Sequence, residues 1–183
     1  MKPLSRLLAA GVVLFCCSFA AAGWYNVDSK EGKFKAAFPG KPEQSQKPAN
    51  TPAGPIKVNL FTYNADVSEH GNRLYLLMYS DYPEAVISST KRKGIVDTFF
   101  KNAIDGAINN IHGKIISMES SPMNKYPGRL VKASFAEGKA MMDIHFYLVK
   151  NRFYMLEVGY QKNELNAVSE KHFFNSFQLT DPK

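Results

Sequence analysis

Apolar and polar positions alternate in blocks along the chain, and the period of each block predicts its element. Residues 24–27 (Trp24-Tyr25-Asn26-Val27) and 33–38 read as two short strands, the second stopped by Pro39-Gly40, because proline lacks the N–H that a ladder needs. Residues 39–55 hold five of the ten prolines, spaced by Gln, Ser, Asn and Thr. With so little apolar surface, this stretch is expected to be an exposed, extended loop. Residues 56–66 alternate, with Ile56, Val58 and Leu60 on one side. Residues 73–82 are apolar on both sides, with Leu74, Leu76 and Met78 against Tyr75, Leu77 and Tyr79, as in a central strand covered twice.

The period then changes. Ile95, Val96, Phe99, Phe100, Ile104, Ala107, Ile108 and Ile111 recur at three- and four-residue steps, which predicts a helix over residues 94–111. Lys101, Asn102, Asp105 and Asn109 occupy its other side, and Gly113 is a stop signal. One amphipathic helix of this kind covers a sheet. Strands follow over residues 114–120, 129–136, 139–149 and 153–160. A second helix is expected over residues 164–174 with Asn163 as its cap, then a short last strand carrying Phe177 and Leu179. Runs of adjacent strands with few helices predict an α+β class: one domain over residues 23–183, with an antiparallel sheet of about six to eight strands flanked by two helices.

The first 22 residues break this pattern and read as a secretory signal peptide. Lys2 and Arg6 precede 16 uncharged residues, short of the roughly 20 that a spanning helix needs. Ala20-Ala21-Ala22 offers the small-x-small site, so cleavage is expected between Ala22 and Gly23, giving an exported protein, periplasmic or secreted. Both cysteines, Cys16 and Cys17, lie in this segment. The mature chain is therefore expected to have no disulfide, thiolate metal site or cysteine nucleophile. Lipidation at Cys16 or Cys17 is the alternative, disfavoured by the bulky Phe15.

Composition adds little beyond a globular class, with 45% hydrophobic and 21% charged residues. Losing Lys2 and Arg6 takes the net charge from +7 to +5, which suits attraction to anionic surfaces. The basic residues are scattered, and the longest run is Lys91-Arg92-Lys93. Nucleic acid is not an expected partner of an exported chain.

One polar constellation emerges from register. Reading Glu137-Gly138 as a two-residue turn puts Lys132 opposite Asp143 and Val131 opposite Ile144. Reading Lys150-Asn151-Arg152 as a three-residue loop pairs Val149 with Phe153 and puts His145 opposite Glu157. That choice gathers Val131, Ala133, Phe135, Met142, Ile144, Phe146, Leu148, Tyr154, Leu156 and Val158 on one side and keeps the Glu157 charge away from them. Lys132, Asp143, His145, Tyr147 and Glu157 then share the other face. His145 between two carboxylates reads either as a general base or cation ligand, or as one of a row of cross-strand charge pairs. The row is the simpler reading, because no nucleophile elbow, zinc-helix spacing or phosphate loop accompanies it. His70, His112 and His172 stand apart from it. Trp24, Tyr63, Tyr75, Tyr79 and Tyr82 read as sheet packing before they read as a ligand groove.

Two stretches carry a resemblance. The opening Trp24-Tyr25…Glu31-Gly32-Lys33-Phe34…Phe38-Pro39-Gly40-Lys41-Pro42 is similar to the start of exported bacterial proteins of the PsbP-like class. The ending Phe173-Phe174-Asn175-Ser176-Phe177-Gln178-Leu179 resembles theirs. The class is named for an extrinsic subunit of photosystem II, and the periplasmic lipoprotein DcrB is a relative by fold. The resemblance implies an antiparallel sheet sandwiched between helices and an accessory or binding role. It carries no catalytic residue across, so no enzyme activity, cofactor or metal is expected. The function expected is that of a non-catalytic exported protein acting through protein or envelope contacts. The alternatives are a module for a small molecule, lipid or divalent metal, and a hydrolase using His145, Asp143 and Glu157.

Overall fold

The computed structural model describes residues 23–51, 54–66 and 71–180. The expected signal peptide, with Cys16, Cys17 and Ala22, lies outside them, as does His70. Two sheets are formed. Strands β1 (Tyr25–Ser29), β2 (Phe34–Phe38) and β10 (Gln178–Leu179) make a small sheet in the order β1-β2-β10. The large sheet is built from β3 (Glu43–Thr51), β4 (Gly54–Asn64), β5 (Asn72–Asp81), β6 (Lys114–Ser120), β7 (Gly128–Phe135), β8 (Ala140–Val149) and β9 (Arg152–Gln161). Its order is β3-β4-β5-β9-β8-β7-β6, with every neighbouring pair antiparallel. Two meanders are thus joined by helix α1 (Lys93–Asn110), and β9 closes against β5.

The large sheet is covered on both faces, as the two-sided apolar pattern of β5 requires. On one face, Val96, Phe100, Ile104 and Ile108 of α1 pack with Val131, Ala133, Ile144, Phe146 and Leu148. On the other, helix α2 (Ala167–Ser176) and the small sheet bring Phe173, Phe34, Phe38 and Val27 onto Tyr75, Leu77, Tyr154, Leu156 and Val158. The α+β class and the layered arrangement are as expected. The strands divide differently, because the first two and the last stack on the large sheet instead of joining it.

Residues 39–55 are not the expected loop. Most of them form β3, paired with β4 from Glu43↔Thr62 to Thr51↔Gly54. An edge strand needs no apolar faces, and proline is tolerated where its missing N–H would point away from the partner, so Pro48 sits here opposite Lys57. Helix α2 also starts three residues later than expected. Asn166, not Asn163, caps it, with its side chain accepting from Ser169 N at 3.1 Å. Asn163 instead adopts a left-handed turn at φ 72°, a conformation Asn tolerates well.

Candidate functional site

The β7–β8 hairpin turns through Ala136–Lys139 with left-handed Ala136, Glu137 and Gly138, and Phe135 pairs with Ala140. The turn is longer than expected, yet the register is the same, with Lys132 opposite Asp143 and Val131 opposite Ile144.

The β8–β9 hairpin differs from expectation by one residue. Its turn is Lys150-Asn151 alone, with Lys150 left-handed at φ 54°, and Val149 pairs with Arg152. Arg152 is held in the strand by two 2.6 Å hydrogen bonds from Nε and Nη2 to the Asp81 carboxylate on β5. Its guanidinium also lies over the Tyr79 ring at 4.8 Å. The consequence is that His145 faces Leu156, and Glu157 faces Ile144 and Leu76 on the α1 side of the sheet. Glu157 therefore does not join Lys132, Asp143, His145 and Tyr147, and Tyr154, Leu156 and Val158 face the α2 side instead of sharing the expected face with Val131 and Ile144. Only 8% exposed, its carboxyl is pushed by burial up to a pKa of about 7.

The other four residues share the face under α2. Lys132 Nζ lies 3.0 Å from Asp143 Oδ2, and the Tyr160 hydroxyl donates to the same oxygen at 3.2 Å. Lys132 Nζ also donates to the Tyr160 oxygen at 3.2 Å. Asp143 is 5% exposed, and its Oδ1 is buried with no hydrogen-bond partner among the described residues. The side chain that approaches the Asp143 carboxylate from α2 is Glu170. Burial first, then the hydrogen bond to Asp143 and its negative charge, push the Glu170 carboxyl up to about 8. At neutral pH the Glu170 carboxyl thus largely keeps its proton, because the buried negative charge of Asp143 opposes a second one beside it.

His145 belongs to the same seam. Its Nδ1 is 2.8 Å from the Tyr147 hydroxyl, and its ring stacks on Phe174 of α2 at 4.1 Å. Burial lowers its pKa to about 4, against a smaller opposing pull from Asp143, so the ring is neutral. Tyr147 stacks on Phe177 at 6.0 Å, with its phenol pKa raised by burial.

Sequence reasoning missed Tyr160 and Glu170. The signal for Glu170 was its place one turn before Phe173-Phe174, the aromatic pair that seats α2. The described residues contain no group of three His, Asp or Glu placed to hold a metal ion. Of the aromatics weighed as a ligand groove, Tyr75 and Tyr79 are core residues, and Trp24 packs on Tyr75 and His172. His112 follows α1 in a left-handed turn, away from the cluster.

One groove lies outside the cluster, between the β1–β2 turn and β3–β4. Its volume is about 450 Å³, and Ser29, Glu31, Gln44, Gln46, Asn59 and Tyr79 line it. Asn59 is buried and accepts from Gln46 Nε2 at 2.7 Å. The lining has amides, hydroxyls and one carboxylate but no basic side chain.

No family profile matches the sequence, and no curated protein matches it. Among solved structures, the chain is similar to cyanobacterial PsbP (CyanoP) from Synechocystis sp. PCC 6803, determined in solution, with a TM-score of 0.56 at 10% identity. The match covers 92% of this chain and 99% of that one. Among the described residues no helix is long and apolar enough to cross a membrane. The two-layered packing on one antiparallel sheet and the end-to-end match together give this chain the PsbP-like fold.

Proposed function

We propose that this chain is a non-catalytic exported protein that serves an accessory or binding role through contacts with a protein or the cell envelope. The observation that carries this reading is the use made of the polar cluster. Lys132, Asp143, Tyr160 and Glu170 fasten α2 to the sheet, and His145 is neutral and stacked beneath Phe174. Groups engaged in packing in this way are poor general bases, because the hydrolase reading needs His145 to exchange protons near neutrality and to have Glu157 beside it. The likeness in fold to CyanoP supports the reading, and the leader-like first 22 residues support export.

The test pairs cell fractionation with a thermal-shift panel on residues 23–183, using divalent metals, nucleotides, anionic lipids and polysaccharides. Envelope fractionation, an unchanged melting temperature with metals and nucleotides, and a specific envelope protein captured by in-cell crosslinking are expected. A cytoplasmic location, or a hydrolytic activity abolished by His145→Ala, would overturn the proposal.

A second reading, a module for a small molecule, rests on the 450 Å³ groove, which lies in the size range of ligand sites. Its lining suits a neutral polar ligand over a phosphate or carboxylate. A stabilising shift with a neutral sugar that disappears in Asn59→Ala would favour it.

A further inference from the structure

The two edges of the large sheet are built differently. β3 carries Lys47, Pro48 and polar side chains and exposes no large apolar residue, which blunts an edge against pairing. At the other edge, every residue of β6 is exposed, and Ile115, Ile116 and Met118 are 42%, 59% and 54% exposed. The outer backbone groups of such a strand form a template for another strand.

The irregularity in β6 decides which strand fits. Ile115 pairs with Ala133 and Ser117 with Lys132, so Ile116 is an extra, bulged residue. In a regular strand, residues five apart face opposite sides of the sheet. The bulge resets that alternation. Lys114, Ser117 and Glu119 now face the α2 side, opposite Ser134, Lys132 and Leu130, while Ile115 and Met118 face the α1 side, opposite Ala133 and Val131. Around a two-fold axis through Ser117, an antiparallel copy then sets Lys114 against Glu119, Ile115 against Met118, and Ser117 against itself. Each pair lies on a single face. Neither Lys114 nor Glu119 has an ion-pair partner among the described residues.

We propose that the chain forms a weak symmetric dimer in which β6 pairs antiparallel with β6 of a second copy about Ser117, joining two seven-stranded sheets into one. The self-complementary charges and apolar side chains select a second copy over an unrelated strand, and an isologous interface of this kind closes at two subunits. Independent of the proposed accessory role, the dimer would double any binding surface on the molecule.

Sedimentation equilibrium on residues 23–183 tests it. A reversible dimer at high micromolar concentration is expected. Glu119→Lys and Lys114→Glu, each placing like charges opposite one another twice, should weaken it by about two- to tenfold, and the double exchange should restore it. Because residues 23–183 contain no cysteine, Ser117→Cys gives a second reading. Mild oxidation should crosslink it faster than Lys114→Cys, whose two copies lie far apart across the axis. All these side chains are exposed, so melting temperatures should not move. A chain that stays monomeric overturns the proposal. So does a dimer that the charge exchange fails to rescue and that Ser117→Cys crosslinks no faster than the control.

Discussion

His145 lies between the Phe174 ring and the Tyr147 hydroxyl, where burial holds its pKa near 4 against an ordinary 6.5. The folded state therefore binds fewer protons than the unfolded chain between those values, and the stability His145 contributes is lost as pH falls below 6.5. Glu157 and Glu170 act the other way. Their carboxyls are raised from 4.5 to about 7 and about 8, so the folded state keeps protons that the unfolded chain releases. Their contribution is complete below 4.5 and is lost as pH rises through 7 and 8. Taken together, the three groups place maximal stability near the ordinary carboxylate range and make it fall steadily into the alkaline range. Urea unfolding from roughly pH 5 to pH 9 should show that continuous decline. Glu157→Gln should remove part of it, adding roughly 3 kcal/mol at the alkaline end and little at the acid end. Glu170→Gln keeps a donor for Asp143 at every pH and should flatten the curve further. Glu170→Ala removes the proton that faces the Asp143 carboxylate and should cost about 1–3 kcal/mol at acid pH and little at pH 9, where Glu170 is itself ionised. A pH-independent stability in the parent chain would rule out this account of both carboxyls.

At the scale of elements, α2 shows how a local choice is settled by tertiary contacts. The sequence points to Asn163 as the cap, and the structure uses Asn166, whose backbone is gripped by Asn72: Nδ2 donates to Asn166 O at 2.9 Å and Oδ1 accepts from Asn166 N at 3.0 Å. Asn166→Ala should therefore cost about 0.5–2 kcal/mol in chemical denaturation, and Asn163→Gly should be neutral or stabilising because its φ is positive. Equal losses from Asn163→Ala and Asn166→Ala would contradict that assignment. The same competition explains what was legible in the sequence. Periodicity located α1, β4, β5 and β7 to β9 within a residue or two because each buries at least one apolar stripe, and β6 was located by Ile115, Ile116 and Met118 although it leaves all three exposed. β3 was invisible because an exposed edge strand buries almost none. The register of β7 on β8 could be read from the hairpin, but β9 could not. Its register depends on Arg152 reaching Asp81 across β5, a contact between residues 71 positions apart. Sorting apolar residues onto one face favoured the wrong alternative, since the fold accepts a buried Glu157, its carboxyl pushed up to about 7, in exchange for that ion pair. Lys132, Asp143, His145 and Tyr147 were thus foreseeable, whereas Glu170 needed the docking of α2 to be known.

Across the whole molecule, the large sheet is the partition between two apolar layers, and its central strands belong to both. β8 sends Ile144, Phe146 and Leu148 toward α1, while its neighbour β9 sends Tyr154, Leu156 and Val158 toward α2 and the small sheet and Phe153 toward α1. Neither layer can be lost while the other keeps its floor, because β5, β9 and β8 are hydrogen-bonded side by side. The chain should therefore unfold as one unit over residues 24–180, with calorimetric and van't Hoff enthalpies in agreement. Phe100 of α1 and Phe173 of α2 are each almost fully buried, one in each layer. Phe100→Ala and Phe173→Ala should each cost about 3–5 kcal/mol, and the two variants should still melt in a single transition at lower temperature. Their effects should add in the double variant, since they meet the sheet from opposite faces and share no partner. A biphasic melt in either single variant, with one layer surviving the loss of the other, would show that the sheet does not couple them.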